Sequence, residues 1–174
     1  MRYADCPTVS VSTTVEALAS DVWGIVSDIT LPTRFSTEVR AVEWIGGHDG
    51  PALGARFVGT SFHEATGEWQ TTCQITGFEH ERLFEWTVLG AGEETSSIWR
   101  FTISPGEGGT VDVEMWFQMG PGRGGLNLAI DLMPDKEERI VARRLSEHRA
   151  NMERTLAGIK ELAEAAHAAE RSQP

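Results

Sequence analysis

Only two of the 174 residues are cysteine, Cys6 and Cys73. Two thiols this far apart exclude a disulfide framework and a clustered metal motif. Cys73 falls inside a strand-like run and reads as a small buried hydrophobe. Tyrosine is scarcer still, with Tyr3 alone, and it lies outside the alternating strand segments. No run of eighteen apolar residues occurs, which excludes an apolar membrane-spanning helix. The opening stretch, Met-Arg-Tyr-Ala-Asp-Cys-Pro, lacks the apolar core of a secretory leader, so a soluble cytoplasmic protein is expected. Basic residues are few: 15 Lys and Arg stand against 26 Asp and Glu, a net charge of −11. From Asp135 to Arg171 eight acids balance eight bases, so the whole excess lies elsewhere, as 18 acids against seven bases. Such a surface repels phosphate backbones and anionic bilayers, and neither a nucleic-acid partner nor membrane insertion is expected. There is no HExxH, no GxSxG, no glycine loop ending in Gly-Lys-Ser/Thr and no ligand-spaced His/Cys set. No metal and no cofactor is therefore expected.

What is present is a sizeable core. A hydrophobic fraction of 40% and six Trp argue against disorder. The length suits a single domain over 1–174, with an ordered core of about 7–166 and a frayed tail after it. The segment from Asp135 to about Glu170 predicts one helix about 50 Å long. Val141, Leu145, His148, Met152, Leu156, Ile159, Ala163 and Ala166 recur at three- and four-residue steps along it. Pro134 and Asp135 mark its start, with Asp135 as N-cap and Glu138 in capping-box register. Gly158 reads as the site of a close contact, because a helix-interior glycine costs about 1 kcal/mol against alanine.

Upstream, Val9 and Val11 alternate in a first strand over about 7–13. A helix over about 14–28 is predicted next, capped by Thr13 and Glu16, with Val15, Leu18, Val22, Ile25, Val26 and Ile29 on its core face. A second short helix opens near Pro32. From there to Gly120 the period falls to two, giving about six strands joined by short turns, which favours antiparallel pairing. A bulge is predicted near Glu43. The inward set is Phe57, Ser61, His63, Trp69, Thr71, Cys73, Phe84, Trp86, Trp99, Phe101, Met115 and Phe117, while Glu85, Asp112 and Glu114 point outward. No arginine takes inward strand parity.

Several stretches together resemble one family. They are Val22-Trp23 with Asp28-Ile29 and Pro32; Gly54-Ala55-Arg56-Phe57; Trp69-Gln70-Thr71-Thr72-Cys73; Phe84-Glu85-Trp86; and Trp99-Arg100-Phe101 leading to Pro105 and Gly109-Thr110-Val111. The chain resembles the START-like or SRPBCC superfamily, the helix-grip or birch-pollen-allergen-like fold, in its polyketide cyclase/dehydrase branch. The resemblance runs from about Val9 to about Glu164, with Phe35 where the family often has tryptophan. It implies an α+β fold in which a curved antiparallel sheet of about seven strands wraps the long C-terminal helix, with two short helices after the first strand. It also implies a cavity between sheet and helix for a small to medium hydrophobic ligand, lipid- or polyketide-like.

Lining such a cavity would be Phe57, His63, Trp69, Trp86, Trp99, Phe101, Met115, Phe117, Leu145, His148 and Met152. On parity alone the same residues read as plain core; it is the resemblance that favours a cavity. A cyclase/dehydrase-type enzyme using His63 or His148 as acid or base is the alternative, and a protein-binding outer sheet face around Phe62 and Trp116 is a third reading. Gly120-Pro121-Gly122-Arg123-Gly124-Gly125 is flexible in composition, and Leu126, Ala129, Ile130 and Met133 follow at helical spacing. That turn is either a lid on a tether or an extension packed on the core. Monomer and homodimer are both open.

Overall fold

The computed structural model describes residues 1–172. Seven strands form one antiparallel sheet in the order β1-β7-β6-β5-β4-β3-β2. They are β1 (Thr8–Val15), β2 (Val39–Ile45), β3 (Arg56–His63), β4 (Gly67–Glu79), β5 (Leu83–Leu89), β6 (Thr95–Pro105) and β7 (Val111–Met119). Strands two to seven are a meander, each paired with the next through a short connection. The exception closes the design, because β1 pairs with β7 from Thr8↔Gln118 to Val15↔Val111. Helices α1 (Ala19–Val26) and α2 (Leu31–Phe35) sit between β1 and β2, and α3 (Leu126–Leu132) precedes the long α4 (Glu137–Arg171). This is the α+β helix-grip arrangement the sequence predicts, and α3 is the apolar helical turn expected after the glycine-rich segment.

The strands alternate as their side chains require. In β7, Val111, Val113, Met115, Phe117 and Met119 are buried, while Asp112 and Glu114 are exposed. The apolar stripe of α4 lies across the concave face, with Val141, Met152, Ile159 and Ala163 fully enclosed. Its backbone runs closest to β1 and to α1 and α2, and stands further from the middle strands. Ala166, expected on the same stripe, is exposed, and the next residue, His167, is the one that turns toward α1. The helix continues to Arg171, past the start of the expected tail; the tail's last residues, 173 and 174, lie outside the described residues.

Three local expectations are corrected. Thr14 and Val15 extend β1 instead of starting a helix, since both are β-branched and both have partners on β7. Thr14 Oγ1 donates to Asp112 at 2.6 Å. The helix starts at Ala19, where Asp21 accepts the Leu18 N–H at 3.1 Å; Glu16 instead donates its N–H to Glu164, and Leu18 is 52% exposed. Asp135 does not cap α4. Pro134–Lys136 forms a 3-10 turn, so Lys136 flanks the helix. The acids of the first turn hold the chain's beginning: Glu137 accepts the Tyr3 N–H at 3.0 Å and Glu138 the terminal amine at 2.7 Å. The bulge of β2 falls at Arg40, between the pairs Val39↔Ser61 and Ala41↔Thr60, and not at Glu43.

Gly158 is indeed a contact point. A Cβ there would lie 2.2 Å from Cε1 of Phe35, so α2 packs its one aromatic ring directly on the α4 backbone. Gly158→Ala is expected to destabilise the fold by about 1–3 kcal/mol through overpacking. That outweighs the gain of about 1 kcal/mol in helix propensity. A fall in the urea midpoint would show it, and a rise would mean that α2 yields freely.

Candidate functional site

Cross-strand register builds the interior. Trp86 pairs with Trp99 and Trp99 with Phe117, so three aromatic residues stand in one row on the concave face. The two indoles stack at 6.2 Å with 8° between planes. Phe57, Phe84 and Phe101 surround Trp86 at 6.5, 5.6 and 6.1 Å. The row ends on the long helix: His148 stands edge-on to Trp99 at 5.1 Å and lies 4.4 Å from Phe117. His148 thus ties α4 to β6 and β7.

The eleven predicted lining residues separate into two groups. Phe57, Trp86, Phe101, Met115, Phe117, Leu145 and Met152 are buried in the core. His63, Trp69, Trp99 and His148 keep partial exposure, as do the inward-facing Ser61, Thr71 and Ser97. The second group marks the open end of the concave face. Burial, reinforced by the nearby Arg144 charge, holds the His148 imidazole well below its usual range, so it is neutral at pH 7. Cys73 is enclosed and its thiol is pushed up to about 12 by burial, which leaves no thiolate for nucleophilic work.

A polar network borders this open end. Arg144 grips Glu38 in a two-pronged bond of 2.8 and 2.7 Å and also donates to Glu147 at 3.1 Å. Arg143 Nε donates to Glu147 at 2.9 Å, and His63 Nε2 lies 3.8 Å from the same carboxylate. His63 Nδ1 accepts the Ala65 N–H at 3.1 Å, which places its proton on Nε2, toward Glu147. Burial opposes the Glu147 charge, yet the two arginines hold its carboxyl below the usual range. Outside the network opens a groove of about 650 Å³, lined by Thr37, Arg40, Phe62, His63, Arg154 and neighbours. A second concavity of about 360 Å³ lies between the end of α1 and β2. Of the predicted lining residues, only His63 faces either.

Residues 7–164 match the model of the family described as polyketide cyclase / dehydrase and lipid transport. The chain belongs to this family. Among solved structures it is similar to the polyketide cyclase-like protein Cgl2372 of Corynebacterium glutamicum, with 26% identity, TM-score 0.62, and 96% of this chain and 97% of that one covered. A protein of Deinococcus radiodurans shares the fold at 14% identity and TM-score 0.60, covering 92% and 99%. A protein of Thermus thermophilus does so at 15% and 0.59, again covering 92% and 99%. No curated protein matches the sequence.

As a member of the polyketide cyclase / dehydrase and lipid transport family, the chain has a fold suited to hydrophobic ligands. No helix among the described residues is long and apolar enough to cross a membrane. Two features escaped the sequence reading. Arg144 reaches the rim from the helix, so strand parity alone could not find it; its spacing of four from His148 was the available signal. Tyr3 is buried, and its hydroxyl donates toward the carbonyls of Gly122 at 2.7 Å and Ser96 at 3.2 Å. The glycine-rich segment is accordingly fastened: Gly120, Gly122 and Gly124 donate their N–H groups to Ser96, Thr95 and the Asn127 side chain. The turn beyond it leaves Leu128 and Leu132 exposed, at 69% and 82%. Trp116, expected on the outer face, lies beneath Arg100 at 4.6 Å, which in turn pairs with Glu85 at 2.7 Å.

Proposed function

We propose that the protein binds a small to medium hydrophobic molecule, lipid- or polyketide-like, between the concave sheet face and α4. One observation carries this reading: an apolar aromatic wall ends in the partly exposed Trp99–His148 pair instead of closing over it. Ligand sites combine apolar lining with a few placed polar groups. Here a neutral imidazole, Ser61, Thr71 and Ser97 supply the latter, and the Glu38–Arg144–Glu147 network gives the entrance a fixed polar border. Neutral His148 can donate to, or accept from, an uncharged carbonyl or hydroxyl on the bound molecule without further desolvation cost.

Titration with a long-chain fatty acid or a polycyclic aromatic polyketide, followed by tryptophan fluorescence, tests the reading. Saturable quenching is expected, because Trp86 and Trp99 stack at the proposed contact. His148→Ala is expected to weaken binding about tenfold, the equivalent of one desolvated polar contact of 1.4 kcal/mol. No saturation with either probe, or quenching that is indifferent to His148, would count against the site.

The cyclase/dehydrase reading is favoured by the same imidazole. A histidine neutral at pH 7 can accept a proton from a carbon acid or donate to a forming enolate oxygen. Its depressed basicity makes it the weaker base, so the binding reading stands first. Turnover of a poly-β-ketone that disappears in His148→Ala and persists in His63→Ala would establish His148 as the acid/base group.

A further inference from the structure

Away from the Trp99–His148 pair, the last turns of α4 meet the first turn of α1. His167 and Glu170 are three residues apart and share a face of α4. Asp21 comes to them from α1. One ligating atom from each of the three lies within 4.8 Å of the others. His167 Nδ1 and Asp21 Oδ2 are 3.4 Å apart, close to the edge of about 3.3 Å expected between two ligands at 2.0–2.1 Å on a tetrahedral ion. Among the described residues this Nδ1 has no hydrogen-bond partner, although it is buried. A buried ring nitrogen facing a carboxylate without a bond leaves a lone pair opposed to negative charge, or a misdirected proton. A cation between the two atoms removes the conflict. The carboxylate is already oriented by the Leu18 N–H, as an outer-shell bond orients a metal ligand.

We propose that Asp21, His167 and Glu170 bind a divalent first-row transition metal ion at the junction of α1 and α4. One imidazole and two carboxylates suit Zn2+, Co2+ or Mn2+ with open positions for water. The other His/carboxylate group, Glu38 with His63 and Glu147, does not offer this: Arg144 already occupies its carboxylates. The metal site is independent of the proposed hydrophobic ligand, and it fastens the far end of α4 while the near half carries Arg144 and His148.

The experiment is calorimetric titration of Zn2+ into tag-free, chelator-treated full-length protein. One ion per chain is expected. Losing a side chain that touches the ion should cost at least the tenfold typical of losing a residue that merely orients such a side chain, so His167→Gln, Asp21→Asn and Glu170→Gln should each weaken binding by about tenfold or more. His63→Gln should leave it unchanged. Thermal melting should rise with Zn2+ in the wild type and not in His167→Gln, whose circular dichroism should match the wild type. Absence of saturable uptake overturns the proposal, as does binding that survives His167→Gln or is lost in His63→Gln.

Discussion

Arg144→Ala is expected to destabilise the fold by about 3–5 kcal/mol, the cost of stranding a buried charge. Arg144 and Glu38 are only 19% and 11% exposed at their side chains, so solvent screens them little. Burial opposes the arginine's charge, but the Glu38 and Glu147 carboxylates more than offset it and raise its basicity. Removing the guanidinium leaves the Glu38 carboxylate with the Asn151 amide at 3.4 Å and little else. Much of the loss therefore belongs to the stranded partner. Arg144→Ala combined with Glu38→Gln should recover more than half of it, and Arg144→Met with Glu38→Met should lie near the wild type. Denaturant midpoints of the three variants decide this. A single-variant loss below about 1 kcal/mol would place the pair with ordinary surface bridges.

Acid should act on the same border with a definite sign. Glu147 has a folded value below its usual 4.5, so it contributes stability above that value and loses it as the pH falls through the lowered one. His148 is held well below 6.5, so the unfolded chain takes up a proton that the folded chain refuses. Stability then declines as the pH drops from about 6.5. The stability–pH curve of His148→Gln should be flatter than that of the wild type between pH 7 and pH 5.

Periodicity carried the fold. The two-residue alternation of β3 to β7 and the 3.6-residue stripe of α4 each bury one face, and the family resemblance ordered them. Boundaries were harder where two local signals compete. Thr13 and Glu16 look like a capping box, yet the cross-strand partners of Thr14 and Val15 on a strand a hundred residues away decide for β. Asp135 has the chemistry of a cap, but Pro134 tightens the turn around it. The interior of the site was legible as parity, since Trp86, Trp99 and Phe117 all carried the inward sign. Its rim was not. Glu38, Arg144 and Glu147 belong to a loop end and a helix, and only tertiary approach makes them neighbours. Tyr3 escaped for the same reason, since its hydrogen-bond partners lie far along the chain. Composition alone made the glycine segment look loose, while its three N–H bonds are visible only in three dimensions.

Phe101→Ala and Trp99→Ala should fail in opposite ways, and the contrast separates supporting core from ligand wall. Phe101 is 2% exposed and lies between Trp86 and its register partners Phe84 and Met115. Truncating it removes a buried ring and leaves a cavity that the sheet cannot collapse, at a cost of about 3–5 kcal/mol. It stands behind the open end, so fatty-acid affinity measured below the new midpoint should change less than threefold. Trp99 is partly exposed and forfeits less burial, so its loss should cost about 1–2 kcal/mol. Its indole, however, holds both the stack on Trp86 and the edge contact with His148. Trp99→Ala should therefore weaken binding about tenfold or more, roughly the 1.4 kcal/mol of one aromatic contact. Equal affinity losses in the two variants would mean that the ligand lies deeper than the Trp99–His148 pair. A Trp99→Ala variant as unstable as Phe101→Ala, with affinity intact, would mean that the open end is ordinary core.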